Sequence, residues 1–141
     1  MVLKPASFYN QSGVIPFRRD TSGLKILLIT SLHRKRWIIP KGIIEDDLSP
    51  RESAEKEAFE EAGIKGRMYD NEIGEYQYRK WGGICTVKVF LFEVTELLET
   101  WPESGVRHRK WVSVEDAGKL VKEQPLKHLI GTVPTLITME P

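Results

Sequence analysis

Val14–Phe17 and Leu24–Thr30 are apolar runs rich in β-branched residues, separated by Arg-Asp-Thr-Ser-Gly. This pattern predicts strand, turn and strand. Trp37-Ile38-Ile39 predicts a short third strand, ended by a glycine turn at Pro40-Lys41-Gly42. A helix is predicted over Pro50–Ala62. Ser49 is its N-cap, Pro50 sits at N1 where a missing N–H costs nothing, and Glu52 completes a capping box. Gly63 stands where a left-handed residue closes a helix. Strand character returns from Ile64 to Glu96, where Met68–Tyr78 leads to a turn at Lys80-Trp81-Gly82-Gly83. It continues through the alternating, strongly apolar segment Ile84–Val94. Glu99–Gly105 is a polar loop, and Lys110–Val112 predicts another short strand. Val114–Lys122, started by Ser113, and a segment from about Pro125 to Ile137 predict two more helices, the last interrupted by Gly131 and Pro134. The order of strands, helix, strands, helices predicts an α+β fold: an α/β/α sandwich around a mixed central β-sheet.

The chain has 141 residues, 40% of them hydrophobic and 29% charged, enough apolar material for one core and one domain over residues 1–141. No apolar run approaches the roughly 20 residues that a bilayer crossing needs. The N-terminal segment lacks the apolar stretch of a signal peptide. A single cysteine, Cys85, excludes an internal disulfide and any multi-cysteine metal site, and its apolar strand marks it as core. A cytoplasmic protein is expected.

Near-neutrality overall conceals a division of charge. Residues 1–41 carry a net +7, whereas residues 45–61 carry a net −6. A basic segment running into an acidic one points to an anionic and a cationic partner. Within the first helix Glu57, Glu60 and Glu61 stand at i, i+3 and i+4, which gathers three carboxylates on one face. Such repulsion is offset by a hard divalent cation such as Mg²⁺ or Mn²⁺, or relieved at a solvated acidic face by Lys56. A glycine just ahead of the helix lets a backbone carbonyl approach a metal.

Gly42 to Ile64 reads GIIEDDLSPRESAEKEAFEEAGI. This segment resembles the signature of the Nudix hydrolases: Gly, five residues, Glu, seven residues, Arg-Glu, an aliphatic, any residue, Glu-Glu, any residue, Gly, an aliphatic. Gly42, Glu57, Glu60, Glu61, Gly63 and Ile64 fall in register. Two positions depart, Leu48 at the first Glu and Lys56 at the Arg. In the family that pair braces the loop against the helix. Here Glu45, Asp47 or Glu52 is left to pair with Lys56, and Leu48 is placed to pack as a hydrophobic staple. Arg36 to Gly42, Val94-Thr95-Glu96 with Trp101, and Arg107 to Trp111 followed by Val114 to Ala117 are similar to the diphosphoinositol and diadenosine polyphosphate phosphohydrolase branch. That likeness covers roughly residues 12–125.

The resemblance implies a Nudix-type sandwich that hydrolyses a phosphoanhydride in a nucleoside- or inositol-linked polyphosphate, a dinucleoside polyphosphate foremost. It implies that Gly42, Glu57 and Glu61 hold Mg²⁺ or Mn²⁺, that Glu60 is the catalytic base and that Lys56 is a structural brace. Arg18, Arg34, Arg36, Lys41, Arg107 and Arg109 come from segments that surround the cleft in such a fold and are expected to bind substrate phosphates, a task suited to Arg. A nucleoside triphosphate or sugar-nucleotide pyrophosphatase, and a non-catalytic polyphosphate-binding module, are the alternatives. The expected partner is a small-molecule polyphosphate and the expected assembly a monomer or homodimer. Neither nucleic acid nor membrane is expected, since there is no basic helix or aromatic-interleaved sheet motif. His33, His108 and His128 are scattered and are read as surface or substrate-facing groups.

Overall fold

A computed structural model describes residues 7–33 and 36–139. Its strands are β1 (Ser7–Asp20), β2 (Gly23–Thr30), β3 (Trp37–Ile38), β4 (Lys41–Ile43), β5 (Ile64–Met68), β6 (Gly74–Lys80), β7 (Gly83–Leu97) and β8 (Arg109–Ser113). Its helices are α1 (Pro50–Ala62), α2 (Val114–Leu120) and α3 (Gln124–Met139). The sheet is mixed. β1 runs parallel to β7 from Ser7↔Gly83 to Phe17↔Glu93. The other edge of β1 is shared, with β2 antiparallel at Phe17–Asp20 and β4 antiparallel at Gln11–Gly13.

The two faces of the sheet follow the period of the strands: Val14 faces one layer and Ile15 the other. On Val14's face, α1 buries Ala54, Ala58 and Ala62 against Leu27, Ile29, Ile64, Phe90 and Phe92. Alanines at every fourth position let the helix backbone lie close to the sheet. On the opposite face Leu126, Leu129, Ile130, Val133 and Ile137 of α3 cover Ile15, Phe17, Leu28 and Leu91. The result is the expected α/β/α sandwich.

α1 occupies the predicted residues because its signals are local. Ser49 accepts from the Glu52 amide at 3.0 Å, and Glu52 accepts from the Ser49 amide at 2.9 Å. Gly63 closes the helix at φ 64°. Elsewhere the structure differs from the pattern. β1 extends well beyond Val14–Phe17 because β7 pairs with its whole length. The Met68–Tyr78 segment is two strands, β5 and β6, which pair in turn along β7, with Tyr69 and Ile73 still donating to the Leu91 and Val89 carbonyls. α2 stops at Leu120, where Val121 turns extended. α3 runs through Gly131 and Pro134 without ending, because its apolar face is fully engaged with the sheet. The glycine turn at 40–42 is in fact the edge strand β4. Cys85 is buried, as its strand implied.

Candidate active site

β4 carries Gly42 onto α1. A Cβ at Gly42 would lie 2.3 Å from the Glu57 carboxyl carbon and 2.4 Å from its Oε2. The glycine is required by this close approach and not by backbone conformation, since its φ is not in the left-handed region. Lys41 and Gly42 are thereby set beside the acidic face of α1.

The carboxylates of that face differ in surroundings. Glu57 is half-buried. Burial first, then the charges of Glu61, Glu60 and Glu103, push its carboxyl up to about 7. Glu61 is only 8% exposed. Burial also pushes it up to about 7, against the pull of Arg107 and of the Lys41 amide. Its Oε1 accepts from the Lys41 N–H at 3.1 Å, and its Oε2 lies 3.2 Å from Arg107 Nη2. Glu60 lies 3.9 Å from Lys56 Nζ, whose ammonium donates to Glu45 Oε1 at 2.5 Å. Of the three candidates for pairing with Lys56, Glu45 is the one in contact, while Glu52 is taken by the helix cap. The Glu45 amide in turn donates to Ser53 Oγ at 3.1 Å, tying the loop to the helix.

These groups border a cleft of about 860 Å³. Glu61, Gly42 and Lys41 line it, as do Glu103 and Arg107, whereas Glu57 and Glu60 are not part of its lining. Burial lowers the pKa of Lys41, and its ammonium sits 4.9 Å from the centre of the Tyr78 ring. Arg36 also lines the cleft and lies 3.6 Å from Glu123.

The other arginines are engaged within the protein. Arg18 stands outside the cleft, stacked 4.2 Å over Trp111 and paired with Asp20. Arg109 lies 3.8 Å over Trp101 and donates to the Ala62 carbonyl at 2.9 Å, closing the C-terminus of α1. Arg107 reaches the wall, but its nitrogens are committed to Glu103 at 2.9 Å, the Thr30 carbonyl at 2.9 Å and Glu61. Its task is to hold two carboxylates in place. Arg34 lies outside the described residues. Besides Arg36, Lys41 and Arg107 the cleft carries Arg79, Lys80 and Trp81 from the β6–β7 hairpin, with Lys122 after α2. Sequence reasoning missed them together with Glu103. The cationic Arg79-Lys80 pair ahead of two glycines was the available signal.

Among the described residues no three acidic or histidine side chains are already gathered into a metal cage. The fit to a divalent cation rests instead on donor chemistry. Glu57 and Glu61 are carboxylates whose ionised forms burial disfavours, and a hard cation offsets that cost.

A NUDIX domain family model matches residues 10–130. The chain is 35% identical to Nudix hydrolase 13, mitochondrial, of Arabidopsis thaliana, over 79% of this chain and 66% of that protein. It is 33% identical to human diphosphoinositol polyphosphate phosphohydrolase 3-alpha, over 84% of this chain and 72% of that protein. It spans about two thirds of the length of the plant relatives. The structure of a Caenorhabditis elegans Ap4A hydrolase binary complex shares its fold, with a TM-score of 0.81 at 20% identity over 92% of this chain and 98% of that one.

Proposed function

The chain belongs to the Nudix family, and on that premise we propose that it hydrolyses a phosphoanhydride bond in a nucleoside- or inositol-linked polyphosphate, foremost a dinucleoside polyphosphate. The observation that carries this reading is the junction of Gly42, Glu57 and Glu61. It sets two carboxyls raised to about 7 beside a cleft that is also lined by Arg36, Arg79, Lys80 and Lys122. Carboxylates and cations lining one cleft suit a polyanion that is bound by the cations and cleaved at the carboxylates.

Glu57, Glu61 and the Gly42 carbonyl are the residues that would hold Mg²⁺ or Mn²⁺. Such a cation supplies charge neutralisation at the phosphoryl oxygens. Glu60 accepts a proton from the attacking water, a role suited to the third carboxylate of the acidic face of α1. Lys41 and the hairpin cations orient the phosphate chain. Arg107 keeps Glu61 and Glu103 from swinging into solvent. Glu45 supplies the charge that Leu48 lacks, so the departures at Leu48 and Lys56 retain a loop-to-helix brace. That pairing supports an active enzyme over a non-catalytic binding module.

No helix among the described residues is long and apolar enough to cross a membrane. The proposed setting is cytoplasmic, acting on a small molecule.

The test is release of phosphate or nucleotide from a panel of diadenosine polyphosphates, diphosphoinositol phosphates, nucleoside triphosphates and a sugar nucleotide, with Mg²⁺ and with EDTA. Mg²⁺-dependent cleavage that is fastest on a dinucleoside polyphosphate is expected. Tight binding of the panel without any cleavage overturns the enzymatic reading.

A further inference from the structure

Trp81 is unusual in both conformation and place. Lys80 pairs with Gly83, so Trp81 and Gly82 form a two-residue hairpin loop. Their φ values are 56° and 68°. Positive φ at both central positions is the type I′ pattern, which favours Asn-Gly or Gly-Gly and disfavours a bulky side chain at the first position. Trp81 is the only non-glycine with positive φ among the described residues. Strain of this kind persists where surrounding structure or function maintains it.

Burial does not explain the strain, because Trp81 is 54% exposed. Nor does its ring point idly at solvent, since it forms part of the cleft wall. Tyr9 packs against it edge-to-face, with centroids 5.3 Å apart at 75°. The Lys80 ammonium lies 4.7 Å from the ring centre. A large, half-exposed aromatic side chain is therefore held in place by Tyr9 and Lys80 among the residues that line the cleft. Arg79 and Lys122 line the same cleft.

The geometry points to a nucleoside subsite at the β6–β7 hairpin, in which Trp81 stacks a planar base while Arg79, Lys80 and Lys122 receive the adjoining phosphates. This rests on the proposed polyphosphate hydrolase reading and narrows its substrate to the nucleoside-linked class. Stacking tolerates any base, because every base has a π-face. An inositol ring offers no such face, and its phosphates would engage the cations alone.

The test measures binding of two probes by calorimetry, with no turnover required. One is α,β-methylene-ATP, which carries a base. The other is inositol hexakisphosphate, which has neither a base nor an anhydride. Trp81→Asn suits the turn and removes the platform. It is expected to weaken the nucleotide by about 10-fold or more while changing inositol hexakisphosphate by less than about 2-fold and costing no thermal stability. Trp81→Phe should restore most of the nucleotide affinity. Equal weakening of both probes, an unchanged nucleotide affinity, or a wild-type protein that binds only inositol hexakisphosphate would each overturn the subsite. The last result, accompanied by Mg²⁺-dependent cleavage of an inositol-linked anhydride, leaves the hydrolase reading standing.

Discussion

Replacing Glu57 with Gln should stabilise the metal-free protein, and by an amount that depends on pH. Burial and three neighbouring carboxylates raise the Glu57 pKa from 4.5 to about 7. Between those values the folded state binds more protons than the unfolded state, so stability falls as pH rises from about 4.5 and levels off above about 7. At about 1.4 kcal/mol per pH unit the full gap is about 3 kcal/mol. Glu57 is only half-buried, and solvent screening reduces this to about 1 to 2 kcal/mol. For a chain of this length that is a Tm increase of about 5 °C for Glu57→Gln at pH 8. At pH 5 the advantage shrinks to about a quarter, since the folded wild type is already protonated there. Thermal melts in EDTA at pH 5 and pH 8 measure both. Saturating Mg²⁺ should reverse the order at pH 8 by stabilising the wild type alone. A variant less stable than wild type at pH 8 in EDTA, or a gap equal at both pH values, would refute the reasoning.

Gly42→Ala forces the Glu57 carboxyl aside and should lower turnover by on the order of 100-fold, while circular dichroism shows an intact fold. Lys56→Met and Glu45→Gln should each lower turnover and weaken the Mg²⁺ dependence with little change in KM, and the double variant should be no worse than either. Lys56→Arg should be nearly neutral. Additive losses, or a strong rise in KM, would show that Lys56 contacts substrate instead of bracing the helix. Arg107→Leu leaves Glu61 buried without its cation and should cost about 3–5 kcal/mol in a urea titration, whereas Arg18→Leu should leave KM for the best substrate unchanged.

What was legible in the sequence was local. The caps of α1 lie within a few residues of one another, and the carboxylate face follows from helical periodicity alone. The strand pattern marked β2 and β7 for the same reason. The tasks of the arginines were not legible, because their partners are far away in sequence. Arg107 binds the carbonyl of Thr30, 77 residues distant, and Arg109 that of Ala62, 47 residues distant. Composition shows that cations are available and not which carbonyls will occupy them. The break between β5 and β6 was hidden because both strands follow one partner, β7, along one edge. Gly42 was marked as special, for a turn and for the approach of its carbonyl to a metal; not legible was that a side chain 15 positions along the chain needs the space of its Cβ. The capping box already committed Glu52 to Ser49, but choosing Glu45 over Asp47 required the path of the loop, which brings Glu45 against Lys56.

The central claim is that the α1 carboxylates carry out phosphoanhydride hydrolysis. The most direct measurement is Mg²⁺-dependent turnover of Glu60→Gln and Glu61→Gln on the best substrate of the panel, alongside their melting curves. Both variants should fold, and each should lose at least about 100-fold in kcat, the scale for removing a general base or a group that holds the cation. Near-wild-type rates in both would contradict the account.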